Sequence, residues 1–164
     1  TLIEALAKRG HAVQAEAGRA IIREQQAAGG EGLPWKNSAL FGELMLAADL
    51  RSHDEARRRE GLVFFDRGLP DIVGYLTLCG LPVPRQLEEA AERLRYRRLV
   101  FIAPPWPAIF EQDEERRQDF AEAQRTHAVM ARTYARYGYD LVALPQASVE
   151  ARADFVLQRV GAGN

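Results

Sequence analysis

Glu16 and Arg19 stand three positions apart in Glu16-Ala17-Gly18-Arg19, and Asp66 adjoins Arg67 in Phe64-Phe65-Asp66-Arg67-Gly68. A carboxylate can hold Mg²⁺ or take a proton, and a guanidinium can fork onto a phosphate. Arg116-Arg117 is a second pair of cations, preceded by the acids of the stretch Glu111 to Glu115. Arginines on a closing flap would neutralise charge on a transferring phosphoryl group. Each set also has a plainer reading. Glu16 and Arg19 would share a helix face as a surface ion pair. Asp66-Arg67 would end a strand and bind its neighbours. The 111–117 block would be a solvated helix start, with acids favoured in its first turn.

The elements that must carry these residues follow from the apolar pattern. Leu62-Val63-Phe64-Phe65 is a short unbroken apolar run, which predicts a strand buried on both faces, as in a parallel sheet covered by helices. Ligands of such sheets sit beyond the carboxyl ends of the strands, where Asp66 would stand. His11 to Ala15 predicts a strand ending at Glu16, and Leu99 to Ala103 another, closed by Pro104-Pro105-Trp106-Pro107. Tyr139 to Leu144 predicts the last, followed by a loop over Pro145 to Ser148.

Helical spacing fills the intervals. Thr1 caps a first helix with Leu2, Ile3 and Leu6 as its apolar stripe and Lys8-Arg9-Gly10 closing it, and a second runs from Ala20 to about Ala28. Asn37 or Ser38 caps a long third helix, whose charged far end, Arg51 to Glu60 with His53, is expected to be solvated. Pro70 opens a fourth, Arg85 to Leu94 forms a fifth, and a sixth runs through Tyr137 with Phe120, His127, Met130 and Tyr134 on its core face. Ser148 begins the last. Strands alternating with helices predict one α/β domain over residues 1–164, a parallel sheet between helical layers. The pattern opens on a helix, so it anticipates a strand feeding that helix.

The totals exclude several classes. A net charge of −1 gives no global basic field for nucleic acid. The single Cys79 excludes an internal disulfide and suits a reducing, cytoplasmic compartment. No apolar run reaches the ~18 residues of a membrane span. Gly29-Gly30-Glu31-Gly32 follows a helix and lacks Gly-Lys-Ser/Thr, so it is a connector, not a phosphate loop. Trp35 beyond it would stack on a ligand ring or simply pack.

Spread over these segments is a resemblance to P-loop NTPases of the nicotinamide riboside kinase-like, or AAA-type ATPase, domain family. It covers essentially the whole chain. Thr1-Leu2-Ile3-Glu4-Ala5-Leu6 looks like the helix after a Gly-Lys-Ser/Thr motif, and Glu16-Ala17-Gly18-Arg19 like the family's Glu-x-x-Arg. Phe64-Phe65-Asp66-Arg67 is similar to its acid-bearing third strand, Arg116 to Phe120 to its lid, and Ala147-Ser148 to the loop bordering adenine.

The resemblance implies a three-layer α/β/α fold and ATP with Mg²⁺ as cofactors. It implies Asp66 and Glu16 as acceptor-orienting or base residues, with Asp66 also in the metal shell. Arg116 and Arg117 would act on the transferring phosphoryl group, Arg19 and Arg67 would bind substrate, and Thr1 and Ser148 would border the nucleotide. The acceptor would be nucleoside-like or another small hydroxyl compound, the alternative being a regulatory ATPase or switch with no acceptor. The family's Gly-x-x-x-x-Gly-Lys-Ser/Thr loop is not in this sequence. The resemblance puts it ahead of Thr1 with a central strand, between the strands ending at Asp66 and Ala103.

Overall fold

A computed structural model describes residues 1–106 and 120–161. The elements alternate as the pattern predicts. They are α1 (Leu2–Lys8), β1 (Ala12–Gln14), α2 (Ala17–Ala28), α3 (Ser38–Arg57), β2 (Val63–Phe65) and α4 (Leu69–Leu78). There follow α5 (Arg85–Arg93), β3 (Leu99–Ile102), α6 (Phe120–Arg136), β4 (Asp140–Ala143) and α7 (Val149–Gly161). The molecule is a mixed α/β protein with parallel strand pairing.

Local chemistry sets the boundaries. The Thr1 hydroxyl accepts from the Glu4 amide at 3.3 Å, and the Asn37 amide oxygen accepts from Leu40 at 3.0 Å. Gly29 ends α2 at φ 65°, a left-handed cap that suits glycine. α2 begins at Ala17, earlier than the expected Ala20, so Glu16 becomes its N-cap residue.

β1 pairs with β2 in parallel, Ala12 opposite Val63 and Gln14 opposite Phe65. β3 pairs with β4 in parallel, Leu99 opposite Asp140 and Ile102 opposite Ala143. These are two separate two-stranded sheets. β2 and β3 are not paired with each other, and both line a cavity of 1170 Å³. The strands expected to be buried on both faces are therefore only half-buried along β2 and β3. Phe64 and Phe101 pack on one side against the Ala5, Leu6, Leu144, Ala153 and Val156 cluster that joins α1 to α7. Arg9 ties the same two helices, reaching Glu150 at 2.7 Å and Asp154 at 2.6 Å.

The largest core among the described residues is built around α4. Leu69, Ile72, Val73 and Leu76 of α4 pack with Leu87, Tyr134, Tyr137 and Tyr139. Gly74 permits the close approach of α6, since a Cβ there would meet Met130 Sδ at 2.4 Å. A third cluster joins Ile21 and Ile22 to Leu33 and Phe41.

His53 corrects an expectation. It is buried, not solvated, with ring centroids 5.6 Å from Tyr96 and 6.4 Å from Phe65. The aromatic slab beneath the end of β2 offsets the charge density of its sequence neighbours. Trp35 is partly exposed. No described helix is long and apolar enough to cross a membrane.

Candidate functional site

The parallel register places the ends of β1 and β2 side by side. Asp66 continues the ladder by donating its amide to the Gln14 carbonyl at 2.8 Å. Glu16 stands two residues past Gln14, at the N-cap of α2, with no side-chain capping bond. Its carboxylate turns to cations instead. Oε2 lies 3.6 Å from Arg19 Nε, and Oε1 lies 4.0 Å from Arg67 Nε. Glu16, Arg19, Asp66 and Arg67 are thus brought together at one strand end.

Arg67 takes φ 76°, the one non-glycine residue at positive φ among the described residues. That conformation is costly for a side chain with a Cβ and marks functional turns. Gly68 follows at an extended φ of −165°, where any residue could sit. Its reason is space, because a Cβ would meet the Tyr96 ring at 2.8 Å. The Tyr96 hydroxyl in turn accepts from the Leu69 amide at 3.1 Å.

Asp71, in the first turn of α4, receives three donors. Oδ2 accepts from the Gly68 amide at 2.9 Å and from the Tyr134 hydroxyl at 2.5 Å. Oδ1 faces Arg67 Nη1 at 3.4 Å. Burial works to lower the Arg67 pKa, but the charges of Asp71, Glu16 and Asp66 outweigh it and raise the value. Arg67 is a permanent cation. Asp49, half-buried on α3, goes the other way for a carboxylate. Burial first, then Asp71 and Glu16, push it up to about 7. Burial and Asp71 also raise Tyr134, which keeps its hydroxyl a donor.

Arg19, Asp66, Arg67 and Asp71 line the cavity, as does Thr1, whose hydroxyl is used as the α1 cap. Its apolar wall is Val63, Phe64 and Phe65 of β2 and Val100, Phe101 and Ile102 of β3. His127 of α6 and Arg152 of α7 also line it, and His127 Nε2 and Arg152 Nε are buried without a hydrogen-bond partner. Ser148 is not in the lining; its hydroxyl accepts from Ala151 at 3.2 Å in the first turn of α7. Arg116 and Arg117 lie outside the described residues.

A family model described as an AAA domain matches residues 1–152. The chain belongs to the AAA domain family. Searches of curated proteins and of solved structures return no match. Membership of the family makes this a P-loop NTPase-like, nucleotide-binding domain.

The donor set of the AAA domain fits a nucleotide with Mg²⁺. Guanidinium groups and one strand-end carboxylate meet at a cavity that also holds two orphaned buried nitrogens. No group of three or more His, Cys, Asp or Glu could hold a metal among the described residues. Mg²⁺ needs none, since one or two carboxylates, water and phosphate oxygens complete its shell.

Sequence reasoning missed Asp71, Tyr134 and Asp49. Asp71 carried a signal: it stands four residues after Arg67 and three after Gly68, the spacing of a helix ion pair and a capping box. Tyr134 showed only its apolar periodicity, which hides a hydroxyl.

Proposed function

We propose that this AAA domain is an ATP-dependent phosphotransferase whose acceptor is a nucleoside-like or other small hydroxyl compound. The observation that carries the reading is the meeting of Glu16, Arg19, Asp66 and Arg67 at one strand end beside the cavity. Glu16 or Asp66 orients the acceptor hydroxyl and takes its proton. Arg19 and Arg67 bind acceptor or phosphate, Arg67 keeping its charge at every working pH. Asp66 would hold Mg²⁺, which supplies charge neutralisation at the phosphate oxygens. Thr1 borders the nucleotide from the cavity wall and Ser148 from the α7 end, while Arg116 and Arg117 neutralise the phosphoryl group.

The space between β2 and β3 reads as the place of a further parallel strand. Two strand edges border it, and apolar side chains line it. A strand there would join the two sheets into one.

Transfer from ATP to a panel of nucleosides, compared between the protein and Asp66→Ala, tests the assignment. The expected result is transfer by the first and loss in the second. Full transfer by Asp66→Ala removes Asp66 from the mechanism. The second reading is a regulatory ATPase or switch without a small-molecule acceptor, which the AAA domain match accommodates equally. ADP release with no phosphorylated acceptor across the panel would select it.

A further inference from the structure

We propose that Asp71 is a positioning residue for Arg67, its carboxylate anchored by the Gly68 amide and the Tyr134 hydroxyl so that the guanidinium stays at the end of β2 beside Glu16. The inference rests on the phosphotransferase reading only for what Arg67 then does, not for how Arg67 is held.

The two oxygens of Asp71 divide the work. Oδ2 is spent on the Gly68 amide at 2.9 Å and on Tyr134 at 2.5 Å, one contact from its own helix and one from α6. Two donors on one oxygen fix the carboxylate plane. Oδ1 is thereby aimed at Arg67 Nη1, 3.4 Å away. That separation is long for a hydrogen bond, so the hold is mainly coulombic and depends on Asp71 keeping its charge. The backbone gives no help, because φ 76° is a conformation arginine avoids. Without Asp71, Glu16 and Asp66 are the remaining anions near Arg67, and Glu16 is shared with Arg19. Asp71 therefore supplies the one anchored carboxylate that holds the guanidinium from the α4 side, opposite its looser contact with Glu16. Tyr134 makes that hold depend on the seating of α6 against α4.

The readout is the Nε–H signal of Arg67 in ¹⁵N-labelled protein, identified by its loss in Arg67→Lys. Asp71→Asn keeps an acceptor for the Gly68 amide but removes the charge. Tyr134→Phe keeps the charge but frees the carboxylate. Both are expected to loosen the Arg67 signal, speeding its hydrogen exchange by about tenfold for Asp71→Asn and less for Tyr134→Phe. In the transfer assay, Asp71→Asn should raise KM by about tenfold while kcat stays within about threefold. If Asp71→Asn does not fold, Tyr134→Phe decides alone.

A lowered melting temperature with the Arg67 signal unchanged in the folded variants overturns the inference and leaves Asp71 a helix cap only. A loosened signal in a protein that transfers no phosphoryl group overturns the phosphotransferase reading and keeps the positioning role.

Discussion

Arg67 and Glu16 meet across the ends of two parallel strands, Nε and Oε1 4.0 Å apart. The contact is loose, and Arg67 sits at φ 76°. Arg67→Gly is expected to relieve that backbone strain, a gain of about 1 kcal/mol. The lost ion pairs of this partly exposed side chain cost about the same. Thermal unfolding should stay within a few degrees of the parent. Calorimetric binding of ATP with Mg²⁺ should weaken by about tenfold or more. A large fall in melting temperature would mean that the turn serves stability and not ligand.

Asp66 and Glu16 are expected to separate by role. Asp66→Asn keeps size and the backbone ladder but loses the charge that would face metal or proton, so kcat should fall by about 10²–10³-fold. Glu16→Gln should fall less, because Asp66 remains. Equal small effects, with unchanged melting temperatures, would show that neither carboxylate acts on the acceptor.

The order of elements was legible because an alternating series of apolar runs and helical stripes has few other solutions. That Glu16 and Asp66 fall at neighbouring strand ends was legible for the same reason, since each follows an apolar run, and the Glu16–Arg19 ion pair was legible from their helical spacing. Asp71 and Tyr134 meet across 63 positions of sequence, and nothing local in either segment signals the other. His53 failed as an expectation because its neighbours Arg51, Asp54 and Glu55 are charged, while burial is decided by Phe65 and Tyr96 from other elements. The half-burial of β2 and β3 was hidden for a related reason. An apolar run reports what a strand would bury, not which neighbour is present to bury it.

Gly68→Ala is expected to destabilise the protein by about 1–3 kcal/mol, the range for forcing atoms into a packed site. The new Cβ would press the Tyr96 ring from 2.8 Å and pull its hydroxyl from the Leu69 amide. Urea unfolding measures the loss. Gly68→Ala in a Tyr96→Ala background should cost much less, since the clash is gone. An equal cost in both backgrounds would place the strain in the backbone instead.

The gap between β2 and β3 is expected to accept an extended apolar peptide. A synthetic segment of Val and Ile with charged flanks should raise the melting temperature in proportion to its concentration. Phe101→Asp, which places a charge on the wall, should abolish the shift. A peptide that stabilises both proteins equally binds somewhere other than this gap.

Asp49 makes a pH prediction. Its carboxyl ionises near 3.8 when unperturbed and at about 7 in the folded protein, raised by burial and by Asp71 and Glu16. Between those values the folded state binds the extra proton and the unfolded chain does not. Stability from this group is whole below about pH 4, falls as pH rises, and is lost once pH passes about 7. Asp49→Asn cannot ionise. Its free energy of unfolding should match the parent near pH 4 and exceed it by up to about 4 kcal/mol at pH 8. Urea titrations of both proteins from pH 4 to 8 give the difference directly, with the other titrating groups common to each. A difference that stays constant across that range would mean that Asp49 is ionised throughout, with a cation of its own that offsets Asp71 and Glu16.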